Sequence, residues 1–146
     1  MPESKSPLLL GIDVGTQSAR VGIFDSLGNL LASASRPYAT VYPQPGWAEQ
    51  EPNDWWAGVC GASLDCLQKA GVDGRRIAGL SFETTASTVL LAERDGTPIG
   101  PAILWMDQRA AEEAEQIART ADPVLRYSGG QDSAEWMVPK ALWLKP

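Results

Sequence analysis

The chain has no histidine and only two cysteines among its 146 residues. The lack of histidine excludes imidazole acid–base catalysis and the common histidine-containing zinc sites. Cys60 and Cys66 lie six residues apart in a segment with helical periodicity, which puts them on different faces of the helix and out of reach of a disulfide. We therefore expect a reduced, cytoplasmic protein.

Long apolar runs and a positive charge balance are also absent. No stretch reaches the roughly 18 apolar residues of a transmembrane helix, and the polar start MPESKSP has no apolar signal core. The net charge of −6 disfavours nucleic acids and anionic membranes as partners, because an acidic surface gains nothing from counterion release. The sequence predicts a small-molecule ligand, and phosphate is not excluded, since main-chain amides and a metal ion can bind it locally.

The composition that remains is that of a globular protein, with 44% hydrophobic and 21% charged residues. Residues 1–7 are expected to be a disordered lead-in. Three runs of strand composition predict an antiparallel meander over residues 8–14, 19–24 and 29–35. A helix from Pro52 to about Ala70 then allows a strand at 77–82 to enter the sheet parallel to a neighbour. The other predicted elements are a hairpin over residues 88–93 and 99–105 and helices over 108–120 and 133–145.

The first turn of the meander, in GIDVGTQSAR at residues 11–20, follows a carboxylate with a glycine and a hydroxyl residue. Glycine lets main-chain N–H groups approach a phosphate, and Asp13 can hold the magnesium of a nucleotide. The alternative is a plain hairpin in which Asp13 and Thr16 satisfy local backbone groups. The stretch resembles the first phosphate loop of the actin-like ATPases. This implies ATP and Mg as cofactors, Asp13 as the metal ligand, and a phosphate site of Asp13, Gly15, Thr16, Gln17 and Ser18.

The stretch GWAEQEPNDWW, residues 46–56, resembles the W-x-E-Q-x-P-x-x-W-W signature of FGGY carbohydrate kinases. Segments at 77–114 and 127–145 follow in the order of that family, so the resemblance covers nearly all of residues 8–145. It implies an α/β, ribonuclease H-like (actin-like ATPase) domain, whose mixed sheet starts with a three-stranded antiparallel meander and is flanked by helices. It also implies an ATP-dependent sugar kinase.

The loop at 81–87 and the LWMDQRA run at 104–110 lie where FGGY kinases bind their sugar. Glycerol kinases place an Arg-Glu pair in the first loop and xylulokinases a Met-His pair, whereas ETTA is closer to ribulokinase-like pentulose kinases. The resemblance thus implies a ketopentose of the ribulose or xylulose type, bound by Glu83, Thr84, Thr85, Trp105, Asp107 and Arg109. Structural roles stay open, since Trp105 can be core and Arg109 can simply pair with Asp107 or with a carboxylate of the following helix. Trp47, Trp55 and Trp56 are assigned to packing that fixes the loop, in preference to a role as sugar platforms.

FGGY kinases take their general base and adenosine-binding residues from a later segment, so the resemblance places the base beyond Pro146. Residues 8–146 are then expected to be an incomplete N-terminal domain that lacks the second, ATP-binding domain and is inactive alone. No catalytic residue is assigned within it. The alternatives are a non-catalytic fragment that binds a sugar or a protein, and another actin-like ATPase. A homodimer is left open.

Overall fold

The computed structural model describes residues 6–145, so most of the predicted lead-in lies outside the described residues. The chain forms two compact units, each built from two segments. We call residues 6–39 with 53–85 the sheet unit, and residues 40–52 with 86–145 the insert unit. The elements are β1 (Leu8–Val14), β2 (Ser18–Phe24), β3 (Leu30–Pro37), β4 (Glu49–Gln50), α1 (Pro52–Ala70), β5 (Ile77–Thr84), β6 (Ala102–Ile103), α2 (Ala111–Arg119) and α3 (Met137–Trp143), with short 3-10 helices at Gly74–Arg76 and Pro123–Ser128.

The sheet unit contains a four-stranded sheet in the order β3-β2-β1-β5. Strands β1, β2 and β3 pair antiparallel, and β5 pairs parallel to β1. Helix α1 supplies the crossover that a parallel strand needs. The predicted meander and the predicted parallel strand are both confirmed.

One face of this sheet packs on α1 and forms the core. The alternation of strand side chains puts every second residue of β2, namely Ala19, Val21 and Ile23, on that face, and all three are buried. Helix α1 contributes Val59, Ala62 and Cys66 to the same cluster. Both cysteines are free, as predicted, and burial raises the pKa of the Cys66 thiol.

The opposite face of the sheet carries two glycines side by side. Gly11 and Gly22 are cross-strand partners, and the ring of Phe24 lies over both. A Cβ atom at Gly22 would lie 2.8 Å from Cε2 of Phe24, and one at Gly11 would lie 3.3 Å from the same atom. Glycine at these positions therefore lets the ring lie close to the backbone.

In the insert unit, the predicted second hairpin does not form a continuous pair of strands. Residues 88–93 and 98–105 run antiparallel as predicted, but they form no continuous ladder: they pair at the isolated bridges Val89↔Ile103 and Ala92↔Pro98, and the Ile99 N–H donates to the Leu91 carbonyl at 3.0 Å. The one short strand among them, β6, pairs with β4. Pro98 and Pro101 lack the N–H groups that a continuous ladder requires.

Two helices of the insert unit begin later than the sequence pattern predicts. The side chain of Asp107 accepts the Arg109 N–H, and this local turn displaces the start of α2 from 108 to 111. Helix α3 begins at Met137, not at Ser133, and Pro139 falls in its first turn, where a proline removes no helical hydrogen bond. Among residues 6–145, no helix has both the length and the apolar character needed to cross a membrane.

Candidate functional site

The predicted phosphate loop is the turn between β1 and β2. The Gly15 N–H donates to the Ser18 carbonyl at 3.1 Å, so this amide is used within the turn. The Tyr38 hydroxyl donates to the Gly15 carbonyl, and the Tyr38 N–H donates to the Gln17 carbonyl at 3.2 Å. Burial and the nearby Asp13 charge raise the pKa of Tyr38, which keeps its hydroxyl a donor. The turn is thus held by its own internal hydrogen bond and by the main chain and side chain of Tyr38.

Asp13, the predicted metal ligand, faces a guanidinium that the sequence reasoning missed. Its Oδ2 atom lies 3.3 Å from Nη1 of Arg20, its cross-strand partner, and the Asp13 and Arg20 side chains are 39% and 62% exposed. The signal was available, because a hairpin whose turn comprises residues 15–18 pairs position 14 with 19 and position 13 with 20. A carboxylate and a guanidinium are therefore both accessible to solvent here. We call the site of Asp13, Gly15 and Arg20 the phosphate corner, after its predicted ligand.

Glu83 lies beside this pair. The parallel register aligns Asp13 of β1 with Glu83 of β5, so both carboxylates project from the same sheet face at the same level. Together with Arg20 they line an open cavity of about 380 Å³, and Gly11 and Gly22 border it as well. The structure thus brings Glu83, predicted as a sugar ligand, next to the predicted phosphate corner. Thr84 ends β5 and Thr85 follows it, the first exposed and the second half-buried.

Gly15 lies next to Asp13 and Arg20 in the predicted phosphate site. Its φ is not in the left-handed region, so the backbone does not demand glycine. A Cβ atom here would lie 3.6 Å from Oδ1 of Asp13 and 3.6 Å from Nη2 of Arg20, inside the corner between the two charges. No three metal-ligating side chains cluster within residues 6–145, and magnesium on substrate phosphates needs only one or two carboxylates. These residues fit a magnesium-bound phosphate group.

In the insert unit, Asp107 and Arg109 form a buried ion pair. Asp107 has no exposed surface, and its carboxylate accepts the Ala48 N–H at 2.6 Å and Nη2 of Arg109 at 2.8 Å. The Arg109 side chain is 4% exposed and also donates to Glu49 at 2.7 Å. Burial by itself would raise the pKa of Asp107, but the Arg109 and Ala48 hydrogen bonds outweigh it and lower that pKa. Neither group presents surface to a sugar, so the alternative pairing of Arg109 with Asp107 is what the structure shows.

The tryptophan-rich signature serves this same cluster. The guanidinium of Arg109 lies 3.7 Å from the ring centroid of Trp47 and 5.2 Å from that of Trp143, and the two rings meet edge to face. Trp47 and Glu49 of the signature thus hold Arg109, and the packing role predicted for Trp47 is confirmed. The same prediction for Trp56 is wrong, because that residue is 66% exposed. Gln50, 2% exposed, donates to the Thr40 hydroxyl.

Trp105 lies two residues before Asp107 and is 39% exposed, so its ring reaches the surface of the insert unit. Its carbonyl is bound by a residue that the sequence reasoning did not consider, Lys140. The Lys140 side chain is fully buried, and its Nζ donates to four backbone carbonyls. The acceptors and distances are Ser87 at 3.0 Å, Leu104 at 2.7 Å, Trp105 at 3.1 Å and Glu135 at 2.7 Å.

Lys140 gives the protein a measurable pH dependence of stability. Burial lowers its pKa from 10.5 to about 8, with Arg109 acting in the same direction and Asp107 and Glu135 opposing. Since the unfolded chain then binds this proton more tightly than the folded one, the Lys140 contribution to stability rises as the pH increases from 8 to 10.5. Urea unfolding at about pH 7 and about pH 9.5 measures the free energy of unfolding of the unsubstituted protein and of Lys140→Met. The value for the unsubstituted protein minus that for the variant should be larger at the higher pH. A difference that is constant across this window would contradict the prediction.

Residues 8–145 match the model of the N-terminal domain of the FGGY family of carbohydrate kinases. The chain belongs to the FGGY family. The assignment made from the tryptophan-rich signature is therefore confirmed, and with it the actin-like ATPase fold that FGGY kinases share.

Curated relatives of this FGGY chain include kinases for different substrates. A D-ribulokinase of Saccharomyces cerevisiae is 36% identical over 154 residues, covering 99% of this chain and 21% of the relative. A glycerol kinase of Chromobacterium violaceum is 35% identical over 124 residues, covering 84% and 25%. An FGGY carbohydrate kinase domain-containing protein of Homo sapiens is 38% identical over 144 residues, covering 93% and 26%. The chain thus spans only a fifth to a quarter of the length of these relatives.

Solved structures agree with the fold. A xyloylose kinase from Brucella ovis superposes with a TM-score of 0.86 at 26% identity, covering 94% of this chain and 29% of the other. A gluconate kinase from Lactobacillus acidophilus gives 0.84 at 25% identity, covering 96% and 28%. A Plasmodium falciparum glycerol kinase, solved with ADP, gives 0.80 at 21% identity, covering 95% and 28%.

Proposed function

We propose that this chain is the N-terminal part of an ATP-dependent kinase that phosphorylates a hydroxyl of a ketopentose of the ribulose or xylulose type. Family membership supports the sugar kinase activity. The observation that carries the proposal is the corner of Asp13, Arg20 and Gly15, where an accessible carboxylate and guanidinium lie 3.3 Å apart and a Cβ atom at position 15 would contact both.

In this proposal the corner binds the terminal phosphates of ATP with magnesium. Asp13 holds the cation, and Gly15, Thr16, Gln17 and Ser18 form the turn that faces the phosphates. Arg20 stabilises the negative charge that develops as the phosphoryl group leaves. When bound, the metal polarises the phosphate oxygens. The held conformation of the turn keeps these groups in place before the nucleotide binds, which lowers the cost of reorganisation.

Sugars are recognised by carboxylates and hydroxyls that exchange hydrogen bonds with their OH groups, and by aromatic rings that pack on their C–H faces. In the sheet unit, Glu83, Thr84 and Thr85 offer the first kind of group. In the insert unit, Trp105 offers the second. Asp107 and Arg109 act indirectly, since their buried pair fixes the segment that carries Trp105.

The remaining parts of the proposal are supported by the family resemblance alone. We propose that the general base that accepts the sugar proton comes from outside residues 1–146, and that these residues by themselves are inactive. The ketopentose preference is supported by the ribulokinase relative, which the chain matches over 99% of its own length. A cytoplasmic location and a homodimer stay predictions.

A substrate panel tests this function. The full-length protein is assayed for ADP release with ATP and magnesium against ribulose, xylulose, glycerol and gluconate, and the products are identified by mass spectrometry. We expect a ketopentose to be used with a kcat/KM at least about tenfold above that of glycerol or gluconate. A preference for glycerol or gluconate would reject the ketopentose, and the absence of turnover with every sugar would reject the kinase itself.

A further inference from the structure

Lys140 is a buried charge that no step of the proposed reaction uses. It lies in α3, its exposed fraction is 0%, and its four hydrogen-bond acceptors are all main-chain carbonyls. Burying an ammonium is costly unless its hydrogen bonds are made, and a neutral apolar residue would avoid that cost. The group must therefore do something for the fold that an apolar side chain cannot.

The acceptors belong to separate segments of the insert unit. Ser87 is the last residue of the predicted sugar loop and has a φ of 62°, a left-handed conformation that is uncommon for residues other than glycine. Leu104 and Trp105 lie at the start of the LWMDQRA run, and Glu135 lies just before α3. A lysine ammonium carries three N–H donors on one atom, and sharing one of them between two acceptors lets it bind all four carbonyls at a single point. The strained Ser87 backbone is thus fixed to the segment that carries Trp105.

We propose that Lys140 is a positioning residue for sugar binding, which fixes the backbone of Ser87 and Trp105 and thereby the orientation of the Trp105 ring. This inference rests on the proposed function. Methionine at position 140 would remove the ammonium that links these carbonyls. The Leu104 carbonyl would keep the Asp107 N–H, but nothing in this cluster would then join residue 87 to residues 104–105, and the two segments would be free to move apart. The phosphate corner belongs to the sheet unit and makes none of these contacts, so sugar binding is affected and ATP binding is not.

The test is steady-state kinetics of the full-length kinase with Lys140→Met, using the ketopentose that the panel identifies. We expect the KM and the Kd for the sugar to rise about 10- to 100-fold, because small misplacements of a binding group cost that much. The KM for ATP should stay within about twofold. The control is Lys145→Met, which removes an exposed lysine just after α3 and should change neither constant.

If Lys140→Met does not fold, as judged by a circular dichroism melt, Lys140→Gln keeps two donors and should shift the sugar KM in the same direction by less. A folded variant with an unchanged sugar KM, or with an equal rise in the KM for ATP, overturns the inference. If the unsubstituted protein phosphorylates no sugar, the proposed function fails. The positioning role of Lys140 is then tested by comparing amide hydrogen exchange in the unsubstituted protein and in Lys140→Met. Faster exchange confined to peptides over residues 86–90 and 103–108 would support positioning, and unchanged exchange would overturn it.

Discussion

Replacing Asp13 by asparagine in the full-length protein is expected to lower kcat about a thousandfold while sugar affinity stays within about twofold. The amide keeps the size of the side chain but removes the charge that would hold magnesium. Asp13 lies 3.3 Å from Arg20, so the substitution also leaves that guanidinium without its counter-charge. Coupled assays give kcat, and calorimetry with the sugar alone gives its affinity.

The matched control for this variant is Asp25→Asn. Asp25 lies in the next turn of the same unit, where its carboxylate accepts the N–H groups of Leu27 and Asn29, away from the corner. It should lower the melting temperature slightly and leave kcat unchanged. An Asp13→Asn enzyme that keeps more than a tenth of its activity would remove the metal role assigned to Asp13.

Replacing Arg109 by methionine is expected to lower the free energy of unfolding by about 3 to 5 kcal/mol. The substitution leaves Asp107, which has no exposed surface, as a buried charge without its partner, and it takes the guanidinium away from the Trp47 ring. The pKa of Asp107 should then rise, since burial is no longer opposed by the arginine. Urea unfolding followed by tryptophan fluorescence measures the loss, because Trp47 and Trp143 report on the cluster itself.

The control is the same substitution at an exposed pair. Arg119 and Glu115 lie 3.6 Å apart on α2, with side chains 69% and 75% exposed. Arg119→Met should change the stability by no more than about 0.5 kcal/mol. A loss below about 1 kcal/mol for Arg109→Met would show that the insert unit is held by other contacts.

The sheet could be predicted from the sequence because its signals are local. The three antiparallel strands have turn residues between them, and α1 begins with Pro52 after a proline-rich loop. The phosphate loop could be proposed for the same reason, since Asp13 and Gly15 are close in sequence. The prediction of a continuous second hairpin was wrong, because Pro98 and Pro101 interrupt a ladder of hydrogen bonds that the composition alone favours.

The rest of the candidate site depends on contacts distant in the chain. The proximity of Glu83 to Asp13 follows from the parallel register of β1 and β5, which no local pattern specifies. The burial of Asp107 depends on residues of the signature about 60 positions earlier, such as Ala48. The burial and the contacts of Lys140 could not be predicted from the sequence. Its partners are main-chain carbonyls, and every residue type has one.

The interleaving of the two units limits how the protein can be shortened for expression. A product that stops after Thr85 would contain the whole sheet unit, yet it would also carry residues 40–52, whose β4 strand pairs with β6 and whose Ala48 N–H binds Asp107. Those residues would lose their partners and expose Trp47. A minimal soluble version of the sheet unit therefore requires a short flexible linker in place of residues 40–52, and simple trimming from the C-terminus would favour aggregation.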